Sequence, residues 1–491
     1  MVGRRAIFFV YAVLAVALAD ARAQTLNSEQ TPTSGKPPQA AAPRRDPALE
    51  MLAGDAAGLP PELAADALIR IAASSRVTDA AWKRELLIEA FFHAYGARDA
   101  YRRSTPQSIP PDTRQGAQLF AYATSLNRVS LQVRATQLMA YVDPPRAREL
   151  FEWIDLDLSP AVCDEVFAPA VDEYYSALSL LARTTFGDDR AAALRFFELF
   201  LWRARLPSEI PAVARALIRF QPTGGEAAYL ESVFGFMLET GSIDPRGFST
   251  SAFDIVSRSA DLANAYMQYG IVPYFMLESL RSYLITQITG PRCGDSAIES
   301  MTPAAFNTAL ARTRMDTEIR PIDGDQLLPS RTLAAARLEP YWQSGGALQL
   351  RQAAIDLRGT GREPYPLQVR QTEAWMQQAE RLLVDVEEWL GHGERTERDY
   401  FFQESALYLA LLDLVPPSKL RTRTIESFVD FLRRKDDDNT NEPLWFAFLN
   451  RLLELSRGND RPEILRAFDN AHNPSMTVYA QLERLVPVGA R

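Results

Sequence analysis

The helical spacing of apolar residues, which continues from about Pro60 to the end of the chain, constrains the fold most strongly. Between Leu367 and Leu390, apolar residues from Trp375 to Trp389 recur at alternating four- and three-residue steps, as on one face of an amphipathic helix. We find no persuasive run of alternating apolar and polar residues, which would predict a strand. The sequence therefore predicts an all-α fold of antiparallel helical hairpins, arranged as an irregular α-solenoid-like or helical-bundle array.

Proline and other helix-start signals divide this pattern into separate helices. Besides the stripes at Leu367–Leu390 and Ile425–Leu432, the predicted helices are Pro61–Ala73, Asp79–Tyr95, Pro145–Ile154, Pro160–Phe186, Pro211–Phe220, Glu226–Glu239, Ser251–Gln268, Tyr274–Ile288 and Pro303–Arg314. The segments Leu194–Trp202 and Leu444–Leu455 are apolar on most faces, so we expect central helices there, covered by others.

One weak internal resemblance suggests a repeat. Leu150-Phe151-Glu152 is similar to Phe196-Phe197-Glu198, 46 positions later (196 minus 150). That offset is within the range of two-helix solenoid repeats. Because the match does not recur cleanly elsewhere, we interpret it as a chance similarity of two apolar helices.

Residues 1–23 have the pattern of a secretory signal peptide. Arg4 and Arg5 are followed by the apolar stretch Ala6–Ala19 and by the small-residue cleavage pattern Ala21-Arg22-Ala23. As a helix the apolar stretch would span about 21 Å, short of the bilayer core of about 30 Å. We therefore predict a soluble, periplasmic or secreted protein with no integral membrane segment after cleavage.

The mature chain divides into four predicted regions. Residues 24–47 are rich in Pro, Ala, Ser, Thr and Gln and predict a disordered leader. An N-terminal helical block is expected at 48–290 and a C-terminal helical block at 367–491. Residues 291–366 contain several Gly and Pro turn signals, which predict a loop-rich junction with short helices.

Cys163 and Cys293 are the two cysteines of the chain. An exported protein with an even number of cysteines favours a disulfide between them. The expected bridge joins a helix that begins near Pro160 to the loop that surrounds Gly290-Pro291. Two buried free thiols are the alternative.

Charge and motifs argue against several functional classes. The chain has 53 basic and 62 acidic side chains, a net charge of -9, which does not favour nucleic-acid binding. The histidines His93, His392 and His472 form no metal-binding pattern, and the acidic stretch 436–442 lacks the glycine and glutamate positions of a calcium loop. We predict no catalytic, metal-binding or cofactor-binding residue.

Acidic residues beside aromatic ones support an alternative, because sugar-cleaving enzymes use pairs of carboxylates. Such combinations occur at Trp153–Asp157, including Asp155 and Asp157, at Asp172–Tyr175, and at Glu387-Glu388-Trp389. The favoured function is an exported, non-catalytic helical scaffold that binds a protein or peptide partner. The alternative is a carbohydrate-active enzyme on an α/α toroid with paired carboxylates.

Overall fold

Helices make up nearly all of the regular structure, which confirms the predicted all-α array of helical hairpins. The computed structural model describes residues 45–97, 102–104, 109–156, 158–294, 298–335, 337–359, 361, 363–435 and 442–486. The signal-peptide prediction and most of the predicted leader lie outside these residues.

The first group of helices consists of Pro47–Ala57 (α1), Pro61–Ala73 (α2), Ala80–Tyr95 (α3), Arg114–Tyr122 (α4), Arg128–Met139 (α5), Pro144–Glu152 (α6), Asp172–Thr184 (α7), Arg190–Leu201 (α8), Ile210–Phe220 (α9), Gly224–Glu239 (α10), Pro245–Gln268 (α11), Tyr274–Thr289 (α12) and Ile298–Thr313 (α13). The second group consists of Gly345–Arg358 (α14), Leu367–Arg370 (α15), Glu373–Glu388 (α16), Glu397–Leu414 (α17), Lys419–Arg434 (α18), Glu442–Leu455 (α19), Arg461–Asn470 (α20) and Pro474–Leu485 (α21).

Four strands of three residues each form two small sheets among the described residues. Arg102–Ser104 (β1) pairs antiparallel with Ala168–Ala170 (β2), and Pro291–Cys293 (β3) pairs parallel with Arg331–Leu333 (β4). The sequence prediction missed these strands because three residues are too few to show alternation.

Most predicted helix starts are close to the observed ones, because the local signals act as expected. Pro61 begins α2, and the side chain of Asp79 caps α3 by accepting from the backbone N–H of Ala81 at 2.9 Å. The predicted helix from Pro160 is wrong, since α7 begins only at Asp172. The intervening backbone is extended at Ala168–Ala170, where it pairs with β1 instead.

The first group stacks as two layers of helices. The helices α3, α5, α7, α9, α11 and α13 contact one another in succession, and α8, α10 and α12 form a second row against them. The two similar sequence segments lie in α6 and α8, which both pack on α7, and the rings of Phe151 and Phe196 are 6.1 Å apart. Stacked hairpins of this kind need no sustained sequence identity, because packing requires only successive apolar faces.

The second group returns the chain to its first helices. The final helix α21 packs against α1 and α2, and α19 packs against α4. Arg45 begins one compact unit that contains all the described residues. The predicted block boundaries at residues 290 and 366 remain predictions.

The two segments predicted to be central helices differ in how deeply they are buried. In α19, the side chains from Leu444 to Leu449 are all buried, which confirms the prediction for that helix. In α8, Leu199 and Trp202 at its end are exposed, so the prediction for that helix is wrong. This segment has more apolar residues than the buried face of α8 can hold, so some of them are left exposed.

Candidate functional site

A pocket of about 470 Å³ lies between α14 and α17, and we call it the α14–α17 pocket. Its α14 wall consists of Arg351, Ala354, Ile355 and Arg358, and its α17 wall of Phe402, Ala406, Leu407, Ala410, Asp413 and Leu414. Both sets follow the spacing of one helix face. The apolar part of a ligand would therefore contact apolar side chains along most of the pocket's length.

Local capping fixes where both wall helices begin. The Ser344 hydroxyl accepts from the backbone N–H of Ala347 at 3.0 Å, and the Thr396 hydroxyl accepts from that of Asp399 at 3.1 Å. These N-caps satisfy backbone donors that the first turn of a helix leaves without partners. The positions of both walls therefore follow in part from short polar residues in the sequence.

A network of contacts brings the N-terminal ends of α14 and α17 together. Gln403 Nε2 donates to the backbone oxygen of Tyr341 at 2.8 Å and to Glu394 Oε2 at 3.0 Å. The Ser344 hydroxyl donates to the other oxygen of Glu394. The Tyr341 ring stacks on Phe402 with centroids 4.3 Å apart. Both walls of the pocket therefore begin at the same end.

A segment that is distant in sequence closes this end of the pocket. Thr113 forms an isolated antiparallel bridge with Pro340, and the backbone N–H of Tyr341 donates to the oxygen of Asp112 at 3.0 Å. Gly116 keeps the segment in place, because a Cβ there would lie 2.2 Å from the backbone oxygen of Pro110. A side chain at this position would require the backbone at Pro110 and Pro111 to move.

Arg114 links the same segment to α17 and to Glu339, which precedes α14. Its guanidinium donates to both carboxylate oxygens of Asp399, at 3.1 and 2.6 Å, and to Glu339 at 2.5 Å. Bidentate arginine–carboxylate pairs fix geometry as well as charge. The closing segment is therefore held by side chains as well as by backbone bonds.

Charged groups of both signs lie at the edges of the pocket. Arg351 Nη2 is 2.6 Å from Asp112 Oδ2, and its guanidinium carbon lies 5.6 Å from the centroid of the Trp342 ring. Arg358 and Asp413 line the pocket from opposite walls. An apolar interior with a few oriented polar groups is typical of a site that binds a ligand.

The carboxyl of α17 with the most strongly shifted pKa, that of Glu404, is not part of this pocket. Glu404 lies in α17 and is buried, and burial raises its pKa to about 8. Tyr400 and Arg434 are close to it and act in the opposite direction. Because Glu404 does not line the α14–α17 pocket, it offers no acid for chemistry there.

The predicted disulfide is present. Cys163 and Cys293 are bonded, with their Cα atoms 5.4 Å apart, and both are buried. Cys163 lies in a turn segment before α7, rather than in the expected helix, and Cys293 ends β3. The buried Arg246 donates to the backbone oxygen of Cys163 at 2.6 Å, which ties the bridge to the start of α11.

The acidic groups predicted for sugar cleavage, where their side chains are described, are paired with arginines, exposed or partly buried. Asp172 pairs with Arg215 of α9, and Glu387 pairs with Arg423 at 2.5 Å. The other acidic groups of these motifs with described side chains are the exposed Asp155 and Glu388 and the partly buried Glu173. Asp157 lies outside the described residues.

The buried aromatic residues of one of these motifs belong to the core. Tyr174 and Tyr175 are both buried in α7. The Tyr175 hydroxyl donates to the buried Glu209 at 2.7 Å. Burial raises the pKa of Glu209, and the backbone N–H groups of Arg205 and Leu206 offset part of that effect. This carboxyl therefore has a structural role in holding α7 and α9 together.

The histidines do not form a site. His93 lies 3.9 Å from Glu89 on the same helix, and His392 and His472 are exposed in loops. No group of three or more His, Cys, Asp or Glu side chains suited to a metal ion occurs among the described residues. The acidic stretch 436–441 lies outside them. None of the helices that the structure describes has the length and apolar character needed to cross a bilayer.

Sequence reasoning missed the α14–α17 pocket. Trp342, Arg351 and Phe402 each have an ordinary helical or turn context, and Asp112 is more than two hundred positions away from them. The spacing of Arg351, Ile355 and Arg358 marks one helix face, but it does not say what that face meets. No known protein family, curated protein or solved structure matches this chain.

Proposed function

We propose that the protein is an exported, soluble, non-catalytic helical scaffold that binds a protein or peptide partner in the α14–α17 pocket. The observation that carries this proposal is the apolar pocket itself, with Phe402 and Trp342 at one end and charged groups at its edges. Aromatic and aliphatic pockets of this kind receive the anchor side chains of bound peptides. Ile355 is 44% exposed, so apolar surface is left for a partner to cover.

Export is supported by two independent features. The N-terminal pattern before Gln24 is that of a signal peptide, and the disulfide between Cys163 and Cys293 is of a kind that persists in oxidising compartments. We expect the protein recovered from the periplasm or medium of the producing cell to begin at Gln24 by N-terminal sequencing. Recovery of the uncut chain from the cytoplasm would contradict export.

Filling the pocket should weaken peptide binding. We expect a random peptide library, panned against the mature protein, to yield sequences with clustered apolar residues. Ala410→Phe places a phenyl ring in the pocket and should weaken the Kd of such a peptide at least about tenfold, measured by fluorescence anisotropy.

A matched variant separates pocket filling from a general effect. Ala374 is exposed on α16, outside the pocket, so Ala374→Phe makes the same change elsewhere and should leave the Kd unchanged. Equal melting temperatures of both variants and the parent protein would show that the fold is intact. Unchanged peptide binding by a folded Ala410→Phe variant would overturn the α14–α17 pocket as the binding site.

A further inference from the structure

The α14–α17 pocket, taken as the peptide site proposed above, is elongated along its two walls. The α17 wall runs from Phe402 to Leu414, about 18 Å along a helix axis, and the α14 wall from Arg351 to Arg358, about 10 Å. These lengths correspond to about two to three turns of a helix. A bound segment can therefore contact the pocket through several side chains.

The surface of each wall suits a third helix. On α17, Ala406 and Ala410 lie one turn apart and line the pocket with methyl groups, which leaves a channel between the larger side chains. On α14, Ile355 lines the pocket and is 44% exposed. Leu348 is also 44% exposed and lies two turns before it on the same face of the helix, beyond the pocket. Side chains of a helix pack as ridges into channels of this kind.

The charges at the two walls are opposite in sign. Arg358 lies on α14 and Asp413 on α17, and both line the pocket. A helix between the walls would place one flank beside the arginine and the other beside the aspartate. Charge complementarity therefore favours a segment with an acidic residue on one flank and a basic residue on the other.

We infer that the α14–α17 pocket binds an amphipathic α-helix of a partner protein, with an apolar stripe of about two to three turns between an acidic and a basic flank. A helix presents such a stripe at positions i, i+3, i+4 and i+7, which is a recurring mode of peptide recognition. The stripe covers Ile355 and the two alanines, and the flanks pair with Arg358 and Asp413.

The inference is tested with three synthetic helical peptides of about 18 residues, a length that permits helix formation in water. All share one leucine stripe, and their flanks carry Glu and Lys, Glu on both sides, or Lys on both sides. We expect the mixed peptide to bind about five-fold more tightly than the other two, since each exposed ion pair contributes modestly. Equal affinities for all three would overturn the assignment of the flanks.

A charge reversal makes the test specific to this pocket. With Asp413→Lys, both walls carry a basic group, so the peptide with Glu on both flanks should become the tightest binder. Asp385→Lys makes the same change at an exposed position of α16 outside the pocket and should leave the order of affinities as in the parent protein. The same order in the parent protein and in Asp413→Lys would contradict the inference.

A proline placed in the middle of the mixed peptide distinguishes the helical form from peptide binding in general. Proline breaks a helix, so this peptide should bind at least about tenfold more weakly. If it binds as well as the parent peptide and Ala410→Phe still blocks it, the pocket binds extended segments, and the inference fails while the proposed function stands. If Ala410→Phe affects none of the peptides, both fail.

Discussion

Replacing Asp66 with alanine is expected to lower the free energy of unfolding by about 3–5 kcal/mol, because it removes the buried carboxylate that the partly buried Arg70 and Arg134 share. Asp66 is 2% exposed. Its carboxylate is 2.8 Å from Arg70 Nε, 2.8 Å from Arg134 Nη2 and 2.9 Å from the Tyr479 hydroxyl. These partners lie on α2, α5 and α21, so the network joins the first helices to the last one.

The measurement is urea unfolding of the parent protein and the variant, followed by circular dichroism. Asp469→Ala is the matched control, since Asp469 pairs with Arg484 at 2.6 Å but is largely exposed. Exposed ion pairs contribute about 0–1 kcal/mol, so this variant should change little. A similar small effect of Asp66→Ala would mean that the buried network does not stabilise the contact between α2 and α21.

The Asp66 carboxyl also makes the free energy of unfolding depend on pH. Burial opposes ionisation, but Arg70, Arg134 and Tyr479 outweigh it and lower the pKa of Asp66 to about 2, against 3.8 for an unperturbed group. A lowered folded-state pKa gives stability that is present above about pH 4 and lost as the pH falls through about 2, amounting to about 2 kcal/mol. Asp66→Asn should remove this part of the pH dependence.

Opening the Cys163–Cys293 disulfide is expected to lower the free energy of unfolding by about 4–5 kcal/mol. The bridge closes a loop with a sequence separation of 130, and the chain-entropy contribution grows with the logarithm of loop length. The bridge also fixes β3 beside the segment before α7, where Arg246 bonds to the backbone oxygen of Cys163. Its loss should therefore release the contact between these two segments.

The test compares the parent protein and the double variant Cys163→Ser, Cys293→Ser in urea, each with and without a reductant. The reductant should lower the midpoint of the parent protein and leave that of the variant unchanged, because only the parent has a bond to open. Both sulfur atoms are buried, so reduction is carried out on the unfolded protein before refolding. If reduction leaves the parent midpoint unchanged, the cross-link does not stabilise the fold.

Local signals in the sequence determined the helical class and many element bounds. The stripe from Trp375 to Trp389 predicted one amphipathic helix, and α16 indeed buries Trp375, Leu382 and Val386 while leaving Glu380 exposed. Pro61 and Asp79 gave correct helix starts, since capping and the missing proline N–H act within one turn. Two cysteines in a chain with a signal-peptide pattern were likewise enough to predict their pairing.

Tertiary structure alone decided how these helices meet. At the edge of the α14–α17 pocket, Asp112 forms an ion pair with Arg351 of α14. In the Asp66 network, the Tyr479 hydroxyl of α21 donates to Asp66 of α2. Such pairs depend on the packing of whole helices, which the spacing of residues within one helix does not encode. Local periodicity states which face of a helix is buried, whereas the partner of that face is set by the free energy of the complete packed core.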